Sequence, residues 1–518
     1  MKRELMVSKV RARTEPWDMA VIGGGATGMG VAVDAAARGY SVVLLEAHDF
    51  GKGTSSRSTK LVHGGVRYLE QGNIPLVMSA LKERGIMRQN APHLVHDLAF
   101  VVPNYSWWEA PFYGIGLKLY DMLAGKYGFG ASKLLSKEET LERLPALEPE
   151  ELRGGVVYYD GQFDDARLLI HLAMTAADHG AVLLNYCPVT SLLRDADGYV
   201  NGVTARDEDS AEEFTISARV VINATGVFTD SIRHMADPAA EPLMVTSQGI
   251  HLVFERSFLK GDTALMVPKT SDGRVLFVIP WHGHAVAGTT DTPVDAPCLE
   301  PRPFEEEIEF ILDTAARFLV RPPTRADVLA VYVGLRPLVK GEGKTSALSR
   351  DHIMHVDTSG LLTITGGKWT TYRHMAEDCV NHAITLGKLP DVDCPTKNLR
   401  IHGYMEDSAS LGSLEVYGSD AEKIRALADS SPVLAAQLHP DLPYIAAEAI
   451  WAAREEMART VEDVLARHTR ALLLNANAAI AMAEPVAKLL AAELGRSEAW
   501  IAAQVNEFTE LARQYRVA

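Results

Sequence analysis

The sequence predicts an α/β protein in three parts: a Rossmann-like nucleotide-binding domain, a second domain on a mixed or antiparallel β-sheet, and a helical C-terminal domain. Three observations carry this. Between Asp18 and Glu46 an apolar run meets a glycine-rich turn, a helical segment and a second apolar run ending on an acid. From Leu243 to Thr290 apolar and polar residues alternate with the period of half-buried strands, as in Gly249–Phe254 and Val275–Ile279. From about residue 401 the composition shifts towards Ala, Glu, Leu and Arg, mostly good helix formers.

The first stretch is the most specific. Met19-Ala20-Val21-Ile22 suits a buried parallel strand. In the turn that follows, Gly23 permits the tight bend, Gly25 lets backbone approach a pyrophosphate, and Gly28 lets helix and strand pack closely. The helical segment is Met29 to Arg38, and its N-terminus offers free N–H groups and partial positive charge to an anion. The second strand, Ser41–Leu45, ends on Glu46, eighteen residues after Gly28. That carboxylate can accept from a ribose 2′-hydroxyl, which argues against a 2′-phosphorylated nucleotide. Together these make a dinucleotide site.

Composition narrows the rest. At 518 residues there is chain for two or three cored domains, and the net charge of −16 gives no support to nucleic-acid binding. Cys187, Cys298, Cys379 and Cys394 lie far apart with no CxxC, so neither a disulfide framework nor a zinc or iron–sulfur site is expected, which fits a reducing cytoplasm. Residues 1–17 hold five basic side chains and no apolar core; they are expected to be a mobile tail rather than a signal peptide. No run of eighteen uncharged apolar residues exists to span a membrane. Gly343-Lys344-Thr345 fails as a P-loop because Leu338 stands where its first glycine belongs. His282-Gly283-His284 has no acid or cysteine at ligand spacing and is expected to be a loop, not a metal site.

Further along, Gly51–Ser58 is small and hydroxylated, suited to donating to phosphate and sugar, and Gly64-Gly65 can lie flat against a planar ring. Residues 91–159 are rich in Pro, Trp and Tyr. Arg167–His179 reads as a helix before the strand Ala181–Asn185, and Val220–Ala224 reads as a buried strand stopping at Thr225-Gly226. Leu361–Thr365 is a strand that brings Gly366-Gly367-Lys368 to its end, and a helix follows from Thr371 to Leu386. Thr460-Val461-Glu462-Asp463 resembles a capping box, and Ser497 after Gly495 starts another helix.

The stretch from Gly51 to Glu70, with Ser55-Ser56-Arg57-Ser58-Thr59-Lys60-Leu61-Val62-His63-Gly64-Gly65-Val66-Arg67-Tyr68, resembles the signature of the FAD-dependent glycerol-3-phosphate dehydrogenases, in the D-amino-acid-oxidase-like group of flavoproteins. The likeness recurs at Asp160–Arg167, Asn223–Asp230, Ser247–His251, Gly288–Asp291, Gly334–Pro337, Ser349–His352, Gly366–Tyr372 and Arg454–Thr460. It implies a discontinuous FAD domain over 18–90, 160–240 and 331–400, a substrate domain over 91–159 and 241–330, and the helical domain over 401–518. FAD would then lie against Gly23, Gly25, Ala26, Thr27, Gly28 and Glu46, then Thr54, Ser55, Ser58, Thr59, Lys60, Leu61, His63, Gly64 and Gly65. Val189, Ala224, Gly226, Gly334, Gly367, Lys368 and Thr370 complete the set.

Oxidising a secondary alcohol requires a base for the hydroxyl proton while the flavin takes the hydride. His251 is the candidate base: its β segment sends Ile250 and Leu252 to the opposite face, and its ordinary pKa lies near neutrality. A phosphate monoester calls for clustered cations, and Arg336, Arg350 and Lys368 stand in matching motifs. Arg67 and Tyr68 resemble the family's pair beside the flavin; with Arg67, Arg336 and Lys368, His251 makes the expected catalytic set. Phe228 replaces an expected tryptophan, and His282 and His284 replace less basic residues.

The resemblance implies oxidation of sn-glycerol 3-phosphate to dihydroxyacetone phosphate by hydride transfer from C2 to flavin N5. Electrons then pass to a membrane quinone of the respiratory chain, from a peripheral enzyme of glycerol metabolism on the cytoplasmic face of the inner membrane. Trp107–Tyr120 is apolar enough for such a surface, but a helix packed into the substrate domain is the preferred reading of that segment, so the membrane expectation rests mainly on the resemblance; a homodimer is allowed. Alternatives are an oxidase using oxygen, another flavin-dependent amine, amino-acid or hydroxy-acid oxidase, and a binding module with a structural flavin. The cations Arg336, Arg350 and Lys368 argue against the last two.

Overall fold

A computed structural model describes residues 1–65, 73–106, 109–270, 273–340 and 351–517. Arg67, Tyr68, Trp107, Trp108, Gly343-Lys344-Thr345 and Arg350 lie outside the described residues.

The apolar run after Asp18 becomes the strand Trp17–Ile22, with Met19, Ala20 and Val21 fully buried. It pairs in parallel with Val42–Leu45 on one side and Glu213–Asn223 on the other. Val182–Leu184 extends the sheet beyond Val42–Leu45, and Leu362–Gly366 extends it beyond Glu213–Asn223. A near-continuous apolar sequence is what a parallel strand covered on both faces needs. Helices Ala26–Ala37, Asp165–Asp178 and Tyr372–Gly387 contribute to that cover, in one core with Leu168, Leu172, Met375 and Ala376.

The second sheet is mixed. Its order is Thr292–Val294, Met244–Glu255, His284–Gly288, Leu276–Trp281, Thr263–Val267, Val95–Asn104, Gly154–Phe163 and Leu61–Val62. Thr263–Val267 pairs in parallel with Val95–Asn104; the other pairings are antiparallel. Alternation sends Val101, Val157, Ile250 and Leu252 into one core, with Ile308 and Ile311. Phe100, Val102, Tyr158 and Val253 enter the opposite core, closed by Leu472, Leu473, Met482 and Val486 of the C-terminal helices. The strand Ala330–Val339 pairs with Met244–Glu255 over ten residues. It therefore belongs to this sheet, not to the nucleotide sheet with which 331–400 was grouped. Gly154–Phe163 likewise crosses the expected boundary between 159 and 160.

The C-terminal part is helical: Ala446–Glu455, Ala476–Leu494 and Glu498–Arg513, with Ser497 capping the last by accepting from the Trp500 N–H at 3.3 Å. The box at Thr460 forms too, Asp463 N–H donating to Thr460 Oγ1 and Thr460 N–H to Asp463 Oδ2. A buried ion network ties this part to the nucleotide domain. Arg167 donates twice to Glu456 at 2.7–2.8 Å, His468 pairs with Glu456 at 2.6 Å, and Arg467 donates to Asp49 at 2.6 Å. Burial acts to raise the Asp49 carboxyl, but Arg467 and His468 hold it low.

Residues 1–17 are not a mobile tail. Arg3–Ala12 is a helix with Met6, Val7 and Val10 buried. Arg3 donates to the Asn185 carbonyl at 2.8 Å and to Asp207 at 2.6 Å, partners nearly two hundred residues away that local charge could not reveal. Among the described residues no helix is long and apolar enough to cross a membrane.

Candidate functional site

Where the carboxyl ends of the nucleotide strands face the second sheet, a cavity of about 650 Å³ opens. Ligands of doubly wound sheets bind at this place because strand ends and helix N-termini point their free N–H groups into it. Gly23, Gly25, Ala26, Thr27, Glu46, Thr54, Ser55, Ser58, Thr59, Leu61 and His63 line it, as do Val189, Ala224, Gly226, His251, Gly334, Arg336, Gly367, Lys368 and Thr370.

The helix starts at Ala26, three residues earlier than the sequence suggested, so its N-terminal N–H groups sit in the cavity wall. Gly23 adopts φ +108°, which L side chains rarely tolerate. Gly28 does not line the cavity; a Cβ there would overlap the Gly23 carbonyl oxygen, so its role is close packing beneath the turn. Glu46 accepts from the Gly24 N–H at 2.6 Å and the His48 N–H at 2.9 Å, one on each oxygen. Burial pushes its carboxyl up and these bonds oppose it. Each oxygen keeps a lone pair for a ribose hydroxyl.

Lys60, Gly64 and Gly65, expected at the cofactor, are not in the cavity wall. The Lys60 ammonium is fully buried, donating at 2.8 Å to both Asp165 oxygens and at 2.7 Å to the Ser56 carbonyl. The resemblance puts Lys60 against the cofactor; here the buried Asp165 claims its ammonium. Gly64 donates its N–H to Tyr120 Oη at 2.8 Å, and a side chain at Gly64 would strike Leu81.

His251 enters from Met244–Glu255, only 3% exposed, with its ring stacked on Tyr332 at 4.7 Å. Its Nε2 lies 2.9 Å from Thr59 Oγ1, and its Nδ1 has no hydrogen-bond partner among the described residues. Burial first, then the charges of Lys60 and Arg336, hold its pKa well below the ordinary histidine value. The imidazole is neutral at pH 7.

Arg336 shares the cavity with Lys368. Its guanidinium donates to the carbonyls of Gln248 (3.1 Å) and Thr290 (2.8 Å), to Thr289 Oγ1 (3.1 Å) and to Asp291 (3.2 Å). The group is therefore fixed by the protein rather than an open fork. Gly249 is required beneath it, since a Cβ would collide with the guanidinium. Sequence reasoning missed Arg57, another wall residue, whose guanidinium donates to Glu300 at 2.7–2.8 Å. Nothing local distinguishes it from a surface arginine. His282 Nε2 lies 2.7 Å from Asp164, and no His, Cys, Asp and Glu group among the described residues could hold a metal.

The chain matches the family of FAD dependent oxidoreductases (DAO) over residues 18–373 and the C-terminal domain of alpha-glycerophosphate oxidase over 362–501. It is 41% identical over 525 aligned positions to the mitochondrial glycerol-3-phosphate dehydrogenase SDP6 of Arabidopsis thaliana, covering 93% of this chain and 83% of that one. With the mitochondrial glycerol-3-phosphate dehydrogenase of Homo sapiens the identity is 40% over 541 positions, covering 97% and 73%. The solved glycerol-3-phosphate dehydrogenase of Bacillus halodurans, complexed with FAD, superposes with a TM-score of 0.80 at 30% identity, covering 99% and 97%. The glycine turn, the helix N-terminus at Ala26 and the acceptor Glu46 fit FAD, which is the cofactor. The chain belongs to the FAD-dependent glycerol-3-phosphate dehydrogenase family.

Proposed function

We propose that the protein oxidises sn-glycerol 3-phosphate to dihydroxyacetone phosphate and passes the electrons to a membrane quinone while resting on the cytoplasmic face of the inner membrane. The observation that carries the substrate is the meeting, in one cavity, of the nucleotide turn with His251, Arg336 and Lys368. Bound FAD supplies the two-electron acceptor. Arg336 and Lys368 offer positive charge to the phosphate. Neutral His251 takes the alcohol proton on its ring, with Nε2 in hydrogen-bond reach of the Thr59 hydroxyl.

Arg336→Ala is expected to raise the glycerol 3-phosphate requirement by one to two powers of ten with FAD retained, because a charge-assisted bond contributes about 1.5–3 kcal/mol. Steady-state kinetics checks this. A parent enzyme that oxidised glycerol as readily as its phosphate would overturn the clamp.

Support for the membrane comes from one helix face. In Glu109–Ala124, Leu117 and Tyr120 are buried while Ile115, Leu119 and Met122 stand out, and Met78 is half-exposed on Ile74–Asn90. Spacing of three and four residues places Ile115, Leu119 and Met122 on one stripe, suited to a lipid headgroup layer. The second reading is an oxygen-using oxidase, because the C-terminal match is named for one. Anaerobic bleaching by glycerol 3-phosphate, then reoxidation on liposomes containing quinone, separates them. Sedimentation with liposomes and fast quinone reduction are expected; unbound protein making stoichiometric peroxide would favour the oxidase.

A further inference from the structure

Glu307 is a buried carboxylate that the chemistry above does not use. It lies in the first turn of the helix Glu305–Ala316, 4% exposed, and does not line the cavity. Its four partners are all donors. Oε1 accepts from the hydroxyls of Thr290 (2.7 Å) and Thr292 (2.6 Å); Oε2 accepts from Gln248 Nε2 (2.6 Å) and the Phe304 N–H (3.1 Å).

Gln248 and Thr290 are also the residues whose backbone carbonyls hold the Arg336 guanidinium. We propose that Glu307 is the positioning residue for Arg336. By clamping the strand at Gln248 to the segment Thr290–Thr292, it fixes the separation of the two carbonyls that aim the guanidinium into the cavity. Affinity for a phosphorylated alcohol is then set in part by a carboxylate that never meets it. This rests on the function proposed above.

The donor pattern explains the need for an acid. A glutamine at 307 can keep its oxygen on the Gln248 amide and the Phe304 N–H only by turning its NH2 on the Thr290 and Thr292 hydroxyls, which must then accept instead of donate and send their own protons elsewhere. The Phe304 backbone N–H cannot rotate away, and a buried polar group left unpaired is costly.

The test is anaerobic titration of the FAD-loaded protein with glycerol 3-phosphate, following flavin bleaching. Glu307→Gln should raise the half-saturating concentration about 10- to 100-fold, while the limiting bleaching rate stays within about threefold. Thr292→Val removes a single donor and guards against a misfolded Glu307→Gln; it should raise the concentration about three- to tenfold. In an Arg336→Ala background Glu307→Gln should add less than about threefold, because residues acting through one another are not additive. Unchanged half-saturation in both single variants, or full additivity in the double variant, would overturn the assignment. A parent flavin that glycerol 3-phosphate does not bleach would overturn the substrate reading and this inference together, before any variant is compared.

Discussion

Replacing His251 with alanine is expected to slow substrate-driven flavin bleaching by about 10²–10⁴, the range for a lost general base. The measurement is single-turnover bleaching at saturating glycerol 3-phosphate. The surroundings of the ring add a pH signature. Burial, Lys60 and Arg336 hold the imidazole's pKa well below 6.5, so its acceptor form is already filled at neutral pH. Acidifying through the ordinary histidine range should leave the parent rate nearly level, and the fall should come only in more acid solution. A variant within a few-fold of the parent would reduce His251 to a structural group stacked on Tyr332.

The other large effect is expected at Gly28. A valine there must place its Cβ against the Gly23 carbonyl oxygen, and Ala224 Cβ stands 3.5 Å away on the other side. Helix and strand would have to separate at the turn that cradles the pyrophosphate. Gly28→Val should therefore be colourless, with flavin absorbance per chain near zero. Gly25→Ala differs, since only Ser55 Oγ at 3.1 Å lies near its Cβ. It should fold and lose FAD only in part. Gly116→Ala, where nothing lies within 4 Å, is the control and should stay yellow. A fully loaded Gly28→Val protein would remove this glycine from the cradle.

The strand, glycine turn and helix around Gly23–Gly28 were legible because periodicity and backbone freedom are local properties. Their edges moved slightly: the helix begins at Ala26, directly after Gly25 as its N-cap, a boundary that apolar periodicity does not mark. The sheet to which Ala330–Val339 belongs was not legible. A strand buried on both faces carries no mark of its partner. The same limit applied to charge. Arg3 read as part of a mobile tail and Lys60 as a cofactor contact, because their partners Asp207 and Asp165 stand 204 and 105 residues away. Arg336 was found, but not the carbonyls that fix it, because backbone acceptors have no letter in a sequence.

Two family segments divide this chain near residue 370, yet the ions between Asp49, Arg167, Glu456, Arg467 and His468 cross that division at depth. Breaking a buried pair by removing one partner is far more damaging than never having had it. A chimera taking its C-terminal helices from a relative would keep these pairs only where that relative carries counterparts of Glu456, Arg467 and His468. Asp49 lies three residues beyond Glu46, so the mismatch would fall beside the ribose acceptor. Recombination can exchange these two parts without stranding a buried charge only where positions 49 and 167 meet matching partners on the new helices.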